Sequence, residues 1–284
     1  ADFESAGILT FGAGQNLAQA YRPVLFRKDG LTVAVIGVCE NEFGIATDEK
    51  VGAAGYRLGL VTKAIRAALD AGCIPVIYFH GGNEHNPLPS PMKNDLYRHF
   101  IDLGAKAVIA MHTHCPQGYE YYGDGLIVYS MGNFYFPDEP GEMTPNWTTG
   151  YLSEVEFTAD KVSLAVHPYV YSNAELKLLR DNEKTHFLAY LDALNAIIAD
   201  PAQIRAYFDT WCVMDGIHGY AHNAVYRDEM CEEGAETVRH IKNLLVCEAH
   251  NELMQASFSM IYNGTIAEAQ TRVDYMRKLQ SLNF

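Results

Sequence analysis

The chain has no C-x-x-C pair, no internal repeat and no apolar run approaching the ~20 residues of a membrane span. These absences exclude a zinc ribbon, a thioredoxin-type redox site, a solenoid and a spanning helix. Positive charge is also scarce. Lys and Arg number 21 against 35 Asp and Glu, a net charge of −14 over 284 residues. Phosphate backbones are held by clustered Lys and Arg, so nucleic acid is excluded as a partner, and anionic membrane surfaces are disfavoured for the same reason. The acidity is spread over both halves and reads as a solvated surface.

What is present is ordinary globular material, 49% hydrophobic and 20% charged. Six cysteines (Cys39, Cys73, Cys115, Cys212, Cys231, Cys247) are too few for a disulfide framework at this length and read as reduced, mostly buried thiols. That points to the cytoplasm, or to the cell surface if a signal or anchor precedes the chain. The start, Ala1-Asp2-Phe3-Glu4-Ser5-Ala6-Gly7, carries no Met and no targeting signal. It reads as the end of a helix stopped by Gly7, so the chain is expected to begin inside a larger protein or after a removed segment.

Strands and helices alternate in the first part. Pro23–Arg27 and Leu31–Val38 read as a hairpin, Leu60–Ala71 as a helix, Cys73–Phe79 as a buried strand. Ser90-Pro91 is a helix start, with Leu96, Phe100 and Leu103 as its core face. Ala107–Met111 and Leu126–Ser130 are further strands, and Glu154–Phe157 with Val162–Val166 a second hairpin. Beyond Ser172 the pattern becomes helical: Phe187–Ile198, Ile204–Val213, Val238–Phe258 and Ala267–Leu282, the last with a capping box Thr265-x-x-Glu268. Gly216–Tyr226, with His218 and His222, reads as a loop. The expected organisation is an α/β domain over 1–172 and an α-helical segment over 173–284.

In open α/β sheets chemistry gathers beyond the C-terminal strand ends. Here those ends carry His80-Gly81-Gly82-Asn83-Glu84-His85, then His112-Thr113-His114, then Met131-Gly132-Asn133-Phe134. In extended chain His112 and His114 face one side, and His80 ends the neighbouring strand. Three imidazoles suit a divalent metal that activates water, with Glu84 as general base or as an orienting partner. Glu40 and Glu42, after Leu31–Val38, read as solvated loop residues, with one of them as a candidate to join the histidines. Phe134, Tyr135, Phe136 and Trp147 read as core rather than pocket wall.

These words, His80-Gly81-Gly82-Asn83-Glu84, Met111-His112-Thr113-His114 and Tyr129-Ser130-Met131-Gly132-Asn133-Phe134, resemble H-W-G-x-E, G-H-x-H and Y-S-L-G-N-F of the CapA family. Those are bacterial capsule (poly-γ-glutamate) synthesis proteins related to calcineurin-like metallophosphoesterases. Gly12-Ala13-Gly14-Gln15-Asn16-Leu17-Ala18 resembles a further family segment, and the likeness covers roughly residues 1–170. It implies a β-sandwich flanked by helices, here lacking its N-terminal part. It also implies a divalent metal (Mn, Zn, Fe or Mg) on His80, His112 and His114, with Glu84, His112 and Asn133 as catalytic residues. The family's G-D and N-N-H motifs are not matched, Gly81 stands in place of Trp, and Met111 in place of Gly. The function expected is a metal-dependent hydrolase of a phosphate ester or γ-glutamyl amide, acting on a small molecule or oligo-γ-glutamate. The alternative is a non-enzymatic component of a capsule assembly. Self-association is left open.

Overall fold

The structure is a computed structural model and describes residues 2–136, 145–158, 161–172, 175–222 and 236–282. In chain order it runs α1 (Asp2–Ser5), β1 (Ala13–Gly14), α2 (Leu17–Ala20), β2 (Val24–Lys28), β3 (Leu31–Cys39), β4 (Gly52–Ala53), α3 (Leu58–Asp70) and β5 (Ile74–His80). It continues with α4 (Pro91–Asp102), β6 (Ala107–Met111), β7 (Tyr119–Tyr122), β8 (Gly125–Val128), α5 (Pro145–Thr148), β9 (Thr149–Phe157), β10 (Val162–Ser172) and β11 (Glu175–Leu178). The helical part holds α6 (Asp181–Ile198), α7 (Pro201–Trp211), a wide π-type helix (Cys212–Ala221), α8 (Glu236–Val246), α9 (Glu248–Asn263), α10 (Ile266–Gln270) and α11 (Val273–Ser281).

The central sheet is mixed, in the order β2-β3-β5-β6-β8-β7. Its four inner strands, β3, β5, β6 and β8, are parallel, and both edge strands pair antiparallel. Parallel strands buried on both faces need near-continuous apolar sequence, which Val33–Val38, Pro75–Phe79 and Ala107–Ala110 provide. One face packs on α3 and α4 through Val61, Ile65, Tyr97 and Phe100, all buried. Ser90 starts α4 as expected: its hydroxyl accepts the Lys93 N–H, and Pro91 takes the first turn. A second, antiparallel sheet β9-β10-β11 follows, and one continuous core joins sheet residues such as Val108 and Ile127 to Phe187, Leu194 and Trp211 of the helices.

Several helix expectations are corrected. The stretch Val238–Phe258 is two helices, broken at Cys247, whose backbone is extended (φ −71°, ψ 124°). Ala267–Leu282 is also two, and Thr265 makes no side-chain cap, so the capping box does not form. Residues from Gly216 to Ala221, expected as loop, continue the helix in wide turns. Gly216 has a reason to be there: a Cβ would press on Ser257 Oγ and lie 3.0 Å from Leu253 Cδ1 of the crossing α9. His218 is exposed on this helix, while Asn223, Tyr226 and Cys231 lie outside the described residues. None of the described cysteines is in a disulfide.

Candidate metal centre

The parallel register puts Cys39 beside His80 and His80 beside Met111, so the segments beyond β3, β5 and β6 emerge together. Where the sequence suggested an extended H-x-H, the backbone turns: His112 has φ 120° and His114 φ 58°. Left-handed backbone at two non-glycine residues is costly and persists only where the surroundings enforce it. The turn brings the two rings together by another route. His112 Nε2 and His114 Nε2 lie 3.8 and 3.9 Å from Glu84 Oε1. The three ligand atoms form a compact N₂O group, which fits a divalent cation.

Two further residues hold these rings. Asn133 Oδ1 sits 2.8 Å from His114 Nδ1. An amide oxygen only accepts, so His114 carries its proton on Nδ1 and presents a lone pair at Nε2. Asn133 is itself fixed, donating to the Trp147 carbonyl and receiving the Tyr169 hydroxyl on its own carbonyl. His80 Nε2 lies 3.1 Å from His112 Nδ1. It therefore meets the back of the His112 ring rather than the point where Glu84, His112 and His114 meet.

Of the aromatic residues read as core, Trp147 and Phe136 flank the histidines, while Phe134 packs on Tyr169 and Tyr135 on Tyr171. Trp147 stacks on His114 (5.1 Å between ring centres) and on His85 (5.6 Å), and Phe136 meets His114 edge-on at 5.0 Å. Phe136 is 38% exposed, and Phe134 and Tyr135 more so. Aromatic runs read as core by composition, but here the chain has already left the sheet.

Glu40 and Glu42 are likewise corrected. Glu40 is buried: its Oε1 lies 2.6 Å from Lys93 Nζ and accepts the Ala249 N–H, and its Oε2 accepts the Gly82 N–H. Next to it, Asn41 donates its backbone N–H and its amide to Glu248. Glu42 then accepts from the Cys247 thiol. Residues 40, 41 and 42 thus meet 249, 248 and 247 in order, tying the α8–α9 junction to the loop beyond β3. Neither glutamate joins the His112–His114 group among the described residues. A pocket of about 540 Å³ opens beside the histidines, lined among others by Glu42, His80, His112, Gly12, Gly37 and Tyr78.

Burial holds His112 below its ordinary 6.5, with His114 pushing the same way and Glu84, Glu40 and Glu42 opposing. His80 is lowered by burial and by His112. A histidine whose pKa is lower folded than unfolded adds stability above its unfolded pKa and loses it as pH falls. The melting temperature of metal-free protein should therefore drop as pH falls below 6.5. His112→Asn should flatten that drop; parallel losses in parent and variant would reject the assignment.

Fold and site together define a mixed α/β protein with a histidine–carboxylate cluster at the C-terminal ends of parallel strands. Residues 1–138 match the family model described as bacterial capsule synthesis protein PGA_cap. The chain is similar to capsule biosynthesis protein CapA of Bacillus anthracis, 31% identical over 140 residues, covering 47% of this chain and 34% of that protein. It is also similar to PGA biosynthesis protein CapA of Bacillus subtilis (strain 168), 28% identical over 138 residues, covering 48% of this chain and 36% of that protein. The matched part is thus about a third of the length of either relative. Among the described residues no helix is long and apolar enough to cross a membrane.

Proposed function

We propose that the chain is the histidine-bearing part of a metal-dependent hydrolase of the calcineurin-like metallophosphoesterase type, working in capsule or poly-γ-glutamate synthesis. Its substrate would be a phosphate ester or a γ-glutamyl amide. The observation that carries this is the convergence of His112 Nε2, His114 Nε2 and Glu84 Oε1. A divalent ion held there would acidify water and polarise a phosphoryl or carbonyl oxygen. His112 and His114 would hold the ion, with Glu84 as the carboxylate donor or, from the same position, the group that takes a proton from water. Asn133 keeps His114 in the tautomer that binds. His80 orients His112, and becomes a third ligand only if its contact to Nδ1 opens. Trp147 and Phe136 screen the site from water on one flank.

One observation favours a non-catalytic reading. Glu84 is the only carboxylate grouped with these histidines among the described residues, and Glu40 is committed to Lys93. Metal analysis of the purified chain separates the two, combined with assays on aryl phosphates, phosphodiesters and oligo-γ-glutamate. Metal uptake with turnover supports the enzyme. Uptake that the His112→Ala/His114→Ala variant loses, without turnover, supports the non-catalytic reading. Uptake no greater than that variant's sinks this metal site. His114→Ala should weaken metal affinity by at least about tenfold, and Asn133→Ala by roughly 10–100-fold through the lost partner.

A further inference from the structure

We infer that Glu42, Cys247 and His250 form a second cation site, of the zinc type, which pins the helical segment to the loop beyond β3. A carboxylate oxygen, a thiol sulfur and an imidazole nitrogen lie within 4.8 Å of one another here. The group shares no residue with Glu84, His112 and His114. Around a tetrahedral zinc, with bonds of roughly 2.0–2.3 Å, neighbouring donors sit about 3.3–3.8 Å apart. Cys247 Sγ and Glu42 Oε1 are already at 3.5 Å. Closing the group takes movements on the order of 1 Å.

The donor set decides the class of metal. Sulfur with nitrogen selects zinc-like ions over Mg²⁺ or Ca²⁺, which prefer oxygen alone. The break between α8 and α9 serves this geometry. Cys247 sits at the extended residue of the break and His250 one turn later, a C-x-x-H spacing that a continuous helix would carry on differently aimed side chains. His250 has the outer support a ligating imidazole uses. Its Nδ1 lies 3.4 Å from the Asn243 amide, whose Oδ1 is buried without a partner. Turned the other way, that amide oxygen would accept the Nδ1 proton and leave Nε2 free for metal. Glu42 lines the 540 Å³ pocket, so a fourth position can be filled from solvent.

Binding is proton-coupled. The Cys247 thiol donates its S–H to Glu42 Oε1, so it carries a proton before metal binds. On binding, the S–H bond breaks, the proton leaves to solvent and one metal–sulfur bond forms, while Glu42 and His250 enter by lone pairs they already hold.

Cobalt(II) tests this, because of the two candidate groups among the described residues only this one contains sulfur. Titrating Co²⁺ into the purified full chain should produce thiolate-to-cobalt charge-transfer absorption in the near ultraviolet, which zinc then erases. The band should persist in the His112→Ala/His114→Ala variant and vanish in Cys247→Ser. Glu42→Gln and His250→Gln should each weaken cobalt binding by at least about tenfold. No band in the parent protein, or a band that survives in Cys247→Ser, overturns the site. Should Cys247→Ser fail to fold, unchanged cobalt affinity in both Glu42→Gln and His250→Gln overturns it equally.

Discussion

Replacing Lys93 with methionine should lower the stability of the protein by about 3–5 kcal/mol, the range for stranding one member of a buried ion pair. Lys93 and Glu40 are each about 2% exposed, with Nζ 2.6 Å from Oε1. The ammonium also lies over the Phe79 ring, 4.8 Å from its centre. The Glu40 carboxylate accepts from the backbone at Gly82, beside the histidines, and at Ala249, at the start of α9. Three parts of the molecule therefore meet on one carboxylate, and Lys93 supplies the neutralising charge. Without it, two N–H groups face a buried anion that has lost its counter-ion. At roughly 2–4 °C per kcal/mol for a chain of this size, the melting temperature should fall by about 10 °C. Glu40→Gln combined with Lys93→Met should cost less than the sum of the two single changes, by at least about 1 kcal/mol. A Lys93→Met protein within about 1 kcal/mol of the parent in denaturant melts would show that the pair is not what holds these elements.

Nothing local in the sequence announces this pair. Lys93 follows Ser90-Pro91-Met92 at the start of an amphipathic helix, where a lysine normally faces water. Its burial is decided by residues 53 positions earlier and 156 later, Glu40 and Ala249, and such separations leave no periodic trace. What was legible was what local chemistry dictates. Ala107–Met111 is apolar, bounded by Gly104 and the histidines, and the strand has those ends. The Ser90 cap and the placement of His80 next to the His112 strand follow from caps and from the parallel crossover. His112 and His114 converge, but not through the period-two alternation that the H-x-H spacing predicts. Period-two alternation fails where φ turns positive, and only the fold enforces that turn. The α8–α9 break was hidden for a related reason. Cys247 is no helix breaker, and the apolar stripe runs on through it. The break answers to Glu40, Asn41 and Glu42, which meet residues 249, 248 and 247 in register.

The same carboxylate explains the glycine that stands where the family pattern carries tryptophan, and it makes Gly81→Trp the second severe substitution. A Cβ on Gly81 would lie 2.5 Å from Glu40 Oε2 and 2.6 Å from its Cδ, well inside contact distance. A loose side chain could swing aside, but Glu40 is held by Lys93, Gly82 and Ala249 at once. Gly81→Ala should therefore cost about 1–3 kcal/mol, the usual penalty for overpacking a filled site. An indole must occupy far more of the same space, so Gly81→Trp should exceed about 4 kcal/mol, a loss seen only when a core is forced apart. In this chain a tryptophan at position 81 and Glu40 in its present position would compete for the same space. Emptying that space together with its counter-ion should relieve the clash. Gly81→Trp in a Glu40→Gly/Lys93→Met background should therefore melt higher than Gly81→Trp alone. If Gly81→Trp is instead as stable as the parent in the native background, Glu40 is free to move, and the departure from the family pattern needs another cause.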